Sequence, residues 1–231
     1  MSIDLAGKQR MLTQKMSKEI LLIAKNIDRD DNKKNLCETA ALFNQTLIGL
    51  IEGDSELGLV ETEKPAIKQQ LYKVVELWNK FRINVDAVLM GNTSLAVLTE
   101  IAKQNLPLLN EMNEAVNMYE RESGSTLEYG MAKTLNLAGK QRMLTQKMTK
   151  ELLLVAIGIE PDHNKKELAK TVRSFKRTLT GLLDGDGERG LPKTENPAIR
   201  EQLKLVKKQW DSYEPILTKS QGSGDDLSKA A

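Results

Sequence analysis

The twelve residues LAGKQRMLTQKM occupy positions 5–16 and recur unchanged at 137–148. Working outward from these two copies, an offset of 132 aligns residues 5–78 with 137–210 without a gap, and about 43 of the 74 positions are identical. Self-similarity on this scale is a tandem duplication, so both halves are expected to fold alike.

Each copy reads as a series of helices. Leu36, Ala40, Phe43, Leu47 and Leu50 step by four and three, as do Leu168, Val172, Phe175, Leu179 and Leu182, which is the apolar stripe of an amphipathic helix. Ile67, Leu71, Val74, Trp78, Phe81 and Val85 form the next stripe, matched by Ile199, Leu203, Val206, Trp210, Tyr213 and Leu217. Pro65 and Pro197 stand where a helix tolerates proline, in its first turn. The connectors EGDSELGLVETEKP and DGDGERGLPKTENP supply glycine for a helix end and proline for the next start. A fourth segment, Leu95 to Tyr119, keeps the helical period, with Asn105 at a missing apolar step and Pro107 as an expected kink. The pattern predicts an all-α chain of two tandem antiparallel four-helix bundle repeats. The first covers 1–124; the second, 125–231, is expected to lack its last helix, because SQGSGDDLSKAA aligns only with the beginning of one. Near ERESGST, residues 120–126, either a turn sets the bundles side by side or a continuous helix stacks them end to end.

Composition limits the function classes. Charged residues make up 29% and hydrophobic ones 40%, yet the net charge is only +2, so no basic field argues for nucleic acid. No apolar run reaches the length of a membrane span, and the chain is expected to be soluble as given. The lone cysteine, Cys37, replaces Ala169 of the other copy and is expected to pack rather than react. His163 is read as a surface residue of a connector, without metal-ligand partners. Asp184, Asp186, Glu188 and Glu195 fall at calcium-loop spacing, but Arg189 holds the glycine position. No metal, cofactor or catalytic constellation emerges, and an enzyme is not expected.

The repeated motif carries the chemistry. At 100° per residue, Leu5, Leu12, Met16, Ile20 and Ile23 make the bundle face of the first helix, while Gly7, Arg10, Gln14 and Leu21 make a second face. Gly139, Arg142 and Gln146 repeat that second face. An interior glycine costs a helix about 1 kcal/mol relative to alanine, and it permits close approach to the backbone. The arginine one turn on is a forked donor suited to a planar oxyanion. Read from spacing alone, a small residue at a helix crossing beside a solvated or salt-bridged arginine accounts for the same pattern, and both readings stay open.

AGKQRMLTQKM, followed by GLxxTExP, QLxxVxxxW and LPLLNEMNEAVNMYE, resembles the PilJ-type sensory domain of chemotaxis transducers, related to the sensor domains of NarX-like nitrate-sensing histidine kinases. The resemblance implies a periplasmic four-helix bundle of a membrane receptor, whose membrane segments lie outside this chain. It also implies a small anion, nitrate or nitrite, held at a dimer interface by one arginine from each subunit. Those roles would fall on Gly7 and Arg10 of the first copy and on Gly139 and Arg142 of the second; Gln14 and Gln146, on the same helix faces, complete the expected ligand-binding set. The pair would form in a homodimer or within an internal pseudo-dimer. The alternative is a protein-interaction bundle that docks a partner such as pilin and has no small-molecule ligand.

Overall fold

The computed structural model describes residues 2–123 and 130–220. Four helices, α1 (Ser2–Ala24), α2 (Arg29–Glu52), α3 (Pro65–Leu89) and α4 (Leu95–Ser123), come from the first repeat. Three more, α5 (Met131–Ile157), α6 (Pro161–Asp184) and α7 (Pro197–Ser220), come from the second, with a single 3-10 turn, Gly187–Arg189, before α7. No strand occurs among the described residues. The boundary expected at 124/125 and the C-terminal stretch 221–231 lie outside them.

The duplicated sequence produces duplicated turns. After α1 the chain reverses through Asp28 at φ 40°, and after α5 through Glu160 at φ 43°. In each case an asparagine of the following helix closes the turn. Asn32 Nδ2 donates to the carbonyls of Ile27 and Asp28, and Asn164 Nδ2 to those of Ile159 and Glu160. The long connectors fold back onto the helices they leave. Thr62 Oγ1 donates to Leu50 O at 2.5 Å and Thr194 Oγ1 to Leu182 O at 2.6 Å, which gives the GLxxTExP pattern its physical role. A side chain at Gly49 would meet Asp54 Cβ at 2.8 Å and Leu59 at 3.0 Å, so the connector can lie on α2 only above a glycine.

The apolar stripes of α1–α4 meet in one core. Leu36, Phe43, Leu71, Val74, Phe81 and Met112 are fully buried. Phe43 packs on Trp78 with ring centroids 4.7 Å apart, and Trp78 Nε1 donates to Asn44 Oδ1 at 3.0 Å. Phe175 and Trp210 repeat the ring pair at 4.3 Å. Lys176 replaces Asn44 there, and the buried Trp210 Nε1 finds no acceptor among the described residues.

The repeats lie side by side. Helix α4 meets α1 through Asn113 against Arg10 and Asn105 against Ser17, and meets α5 through Asn117 against Asn136 and Asn105 against Lys150. Since α4 runs opposite to both, α1 and α5 are parallel. Helix α1 is consequently covered on two faces. Leu12, Met16 and Ile20 point into the first core, while Gln14 and Leu21 of the second face are equally buried. Leu153, Leu154 and Ile159 of the second repeat belong to the same core cluster as Leu36 and Trp78.

Three expectations need correction. The stripe of α7 does not all reach the core: Ile199 is 54% exposed and Val206 40%, against 4% and 0% for Ile67 and Val74. In the first bundle α4 packs along α3; among the described residues nothing occupies the corresponding side of α7. Cys37 is exposed rather than packed, because it stands one residue and so 100° round from the core residue Leu36. His163 is exposed as expected, but it belongs to the first turn of α6 rather than to a connector.

Asn105, which interrupts the stripe of α4, is fully buried and joins three helices. Its Nδ2 donates to Thr13 O at 3.0 Å and Ser17 Oγ at 2.8 Å, while its Oδ1 accepts from Lys150 Nζ at 3.1 Å. Burial lowers the Lys150 ammonium from the ordinary 10.5 to about 8, against a smaller opposing effect of Glu151.

Two predictions follow from packing and burial. Ile67→Ala is expected to lose about 2–5 kcal/mol of unfolding free energy in urea, and Ile199→Ala no more than about 0.5 kcal/mol; equal losses would mean that α7 is covered in solution. For Lys150, the folded value lies below the unfolded one, so between pH 8 and 10.5 the unfolded chain holds more protons and stability rises with pH. The stability of Lys150→Met relative to wild type is therefore expected to fall across that window, read from denaturation midpoints at successive pH values.

Candidate oxyanion site

Gly7 and Gly139 face each other where α1 and α5 pack. A Cβ built on Gly139 would lie 4.0 Å from Gly7 Cα, 3.6 Å from Arg10 Nη2 and 3.7 Å from Arg142 Nη2. The two guanidinium groups thus bracket one point beside the glycine pair. A Cβ on Gly7 would likewise meet Arg10 Nη2 at 3.6 Å. Each arginine sits one turn after its glycine, and helical side chains lean toward the N-terminus, so each leans back over the glycine contact.

The two arginines are related by the repeat but differ in setting. Arg10 is only 1% exposed; its Nη1 donates to Asn113 Oδ1 at 3.0 Å and its Nη2 to Asn136 O at 3.0 Å. Its Nε has no acceptor among the described residues. Burial draws its pKa down from 12.5 to about 10; Glu120 opposes that shift and the Arg142 charge adds to it. Arg10 therefore remains a cation at neutral pH, in a place that disfavours cations. Arg142 is half-exposed and donates from Nη2 to Asp4 Oδ1 at 2.7 Å. The partners themselves are equivalent positions, Asp4 and Asn136, and the second repeat has exchanged a carboxylate for an amide. The Asn136 side chain turns to α4, donating to Glu120 and, at 3.4 Å, to Asn117 Oδ1.

The remaining expected site residues lie apart from this point. Gln14 is fully buried, with Nε2 donating to Thr13 Oγ1 at 3.1 Å, and its carbonyl, like that of Gln146, lacks a donor among the described residues. Neither glutamine hydrogen-bonds an arginine. One turn further, Lys15 pairs with the buried Glu19 at 2.7 Å and hydrogen-bonds Thr39, and Lys147, Glu151 and Thr171 repeat the arrangement. Desolvation raises the Glu19 carboxyl above its usual range, partly offset by Lys15. Three of the four calcium-loop carboxylates are engaged by arginines: Asp184 with Arg200, Asp186 with Arg177 and Arg189, Glu188 with Arg177.

Sequence reasoning missed Asp4, Asn113 and Asn136 as partners of the arginines. Asn110, Asn113 and Asn117 do follow the helical period within NEMNEAVN, and that stripe of asparagines on an amphipathic helix was the available signal.

The chain matches the family described as type IV pili methyl-accepting chemotaxis transducer N-term, PilJ, over residues 1–103 and 126–231. Among curated proteins it is 29% identical over 124 residues to the methyl-accepting chemotaxis protein McpN of Pseudomonas aeruginosa. That match takes in 54% of this chain and 23% of the relative, so the chain spans less than a quarter of that protein's length. A solved structure described as the ligand-binding domain of the P. aeruginosa nitrate receptor McpN aligns with a TM-score of 0.47 and 28% identity, covering 53% of this chain and 95% of that one.

The space at Gly139 admits a methyl group at ordinary contact distances. Gly139→Ala is accordingly expected to raise thermal stability, by up to about 1 kcal/mol from helix propensity. Gly139→Leu, whose further carbons would run into Gly7 or the guanidiniums, is expected to lower it. A destabilised alanine variant would show that the helices touch more closely than these distances allow.

Proposed function

The chain belongs to the PilJ family of chemotaxis transducer N-terminal domains, and on that premise we propose that it is the extracytoplasmic sensory module of a transmembrane receptor, binding nitrate or nitrite between Arg10 and Arg142. The convergence of both guanidinium groups on the Gly7–Gly139 contact carries the reading. The sequence relative McpN, whose ligand-binding domain is described as that of a nitrate receptor, supports the choice of anion. Here the two arginines belong to one chain, in two units of 1–124 and 125–231 that act as an internal pseudo-dimer.

The physical basis is charge. Two like charges held close in a partly desolvated seam repel; the pKa of Arg10 is lowered first by burial and further by the charge of Arg142, against Glu120. A planar monoanion offers acceptors to both forks at once. On binding, Arg142 would exchange its exposed Asp4 partner for the anion, and Arg10 would supply donors from the buried side. Because the anion interacts differently with different offsets of α1 and α5, it shifts the population between them. Helix displacement of this kind is the signal that the rest of a receptor would receive. In Gly139→Ala, the added methyl group would occupy the space beside both guanidiniums that the anion needs.

Calorimetry and sedimentation together test the proposal. Monomeric chain is expected to bind one nitrate, and charge-assisted bonds of about 1.5–3 kcal/mol each imply at least tenfold weaker binding in Arg10→Ala and in Arg142→Ala, with native helical content. Gly139→Ala is expected to weaken nitrate while keeping the fold. Wild-type affinity in both arginine variants, or binding that arises only when chains dimerise, overturns it. A chain that ignores nitrate and nitrite and instead binds pilin supports the interaction-bundle alternative.

A further inference from the structure

The seam between α4 and α5 holds a cavity of about 410 Å³, lined on the α1 side by Arg10 and on the α5 side by Lys133, Asn136 and Lys140. Helix α4 contributes Asn113 and Asn117, and Leu137 is the one apolar residue of the lining among the described residues. Neither glycine nor Arg142 takes part. The volume falls within the range of roughly 300–1,000 Å³ common for small-molecule sites. A four-atom anion would fill little of it, given that one water takes roughly 30 Å³.

Charge in the cavity is unbalanced. Its one carboxylate, Glu120, accepts from Asn136 Nδ2, and Arg121 at the rim is paired with Glu114 at 2.6 Å. An amide donor leaves the Glu120 charge in place, and Glu120 offsets part of Arg10, so Arg10, Lys133 and Lys140 face one carboxylate and positive charge stays in excess. Lys140 is held below the ordinary lysine range, first by burial and then by Arg10. The repeat shows where the imbalance arises. On the opposite side of the α1–α5 pair the position of Asn136 is Asp4, which neutralises Arg142; on the α4 side the amide leaves the positive charge standing.

We infer that this cavity binds a small organic dicarboxylate of about succinate's size, at a site that shares Arg10 with the nitrate point but excludes Arg142, and that does not depend on that reading. The cations are spread, not clustered. Lys133 and Lys140 stand two helical turns apart, about 10 Å along α5 at 1.5 Å per residue, and Arg10 comes from another helix. Two carboxylates separated by a short chain match that spread better than one compact anion does. The guanidinium of Arg10 offers a fork to one carboxylate, and the lysine ammonium groups offer point charges to the other. The asparagine amides supply neutral donors and acceptors for the ligand's remaining polar atoms.

Titration calorimetry of the chain with succinate, with its neutral diamide and with nitrate tests this. Succinate is expected to bind and the diamide not. The Lys133→Gln/Lys140→Gln double variant should bind succinate at least tenfold more weakly while its nitrate affinity stays within twofold of wild type. Arg142→Ala should show the reverse. No heat from succinate at millimolar concentration, an unchanged double variant, or parallel loss of both ligands in Arg142→Ala overturns the assignment. Should wild type bind succinate but not nitrate, the nitrate reading fails and this one stands.

Discussion

The structure depends on the contact between Gly7 and Gly139. Two parallel helices can approach this closely only where the facing side chains are no larger than a methyl group, and the approach is what buries the second face of α1. Without it Leu21 and Gln14 would face water, and Arg10 would have no reason to be desolvated. The contact also aims the arginines. Both come to Gly139, Arg142 from its own helix and Arg10 from the other repeat, so the geometry that closes the interface also concentrates positive charge in it. Packing and electrostatics oppose each other at one point, which is the condition for a ligand-sensitive equilibrium.

Much of the fold was legible in the sequence because it is local. Helical stripes such as Leu36 to Leu50, the proline starts at Pro65 and Pro197 and the paired connectors each act within a few residues, and duplication states them twice. What was not legible depends on how the repeats meet. Asn105 reads as a lapse in a stripe, and only the parallel course of α1 and α5 makes it a junction of three helices. Ile199 and Val206 read like Ile67 and Val74, and nothing local distinguishes them; their exposure follows from a side of α7 that nothing covers among the described residues.

The site divides in the same way. Gly7, Arg10, Gly139 and Arg142 were found through spacing and repetition, and the structure brings them together. Gln14 and Gln146 share that helix face, yet neither hydrogen-bonds an arginine, because a face of 3.6-residue period is wider than a single contact point. Asp4 and Asn136 escaped notice although they flank the longest identical run. Their difference matters more than the identity beside it, since Asp4 gives Arg142 a carboxylate, whereas Asn136 offers Arg10 only its backbone carbonyl and turns its side chain to α4.

Fusing the two copies has a consequence for how such a module responds. Between separate chains, the pairing of α1 with its counterpart would vary with how many copies are present. Joined in one chain, the partner helix is supplied at a fixed effective concentration set by the connection between them. The poise between helix offsets then becomes a property of the molecule rather than of its abundance. The two halves are also free to drift apart in sequence, as Asp4 and Asn136 have done, which a symmetric homodimer built from a single sequence cannot do.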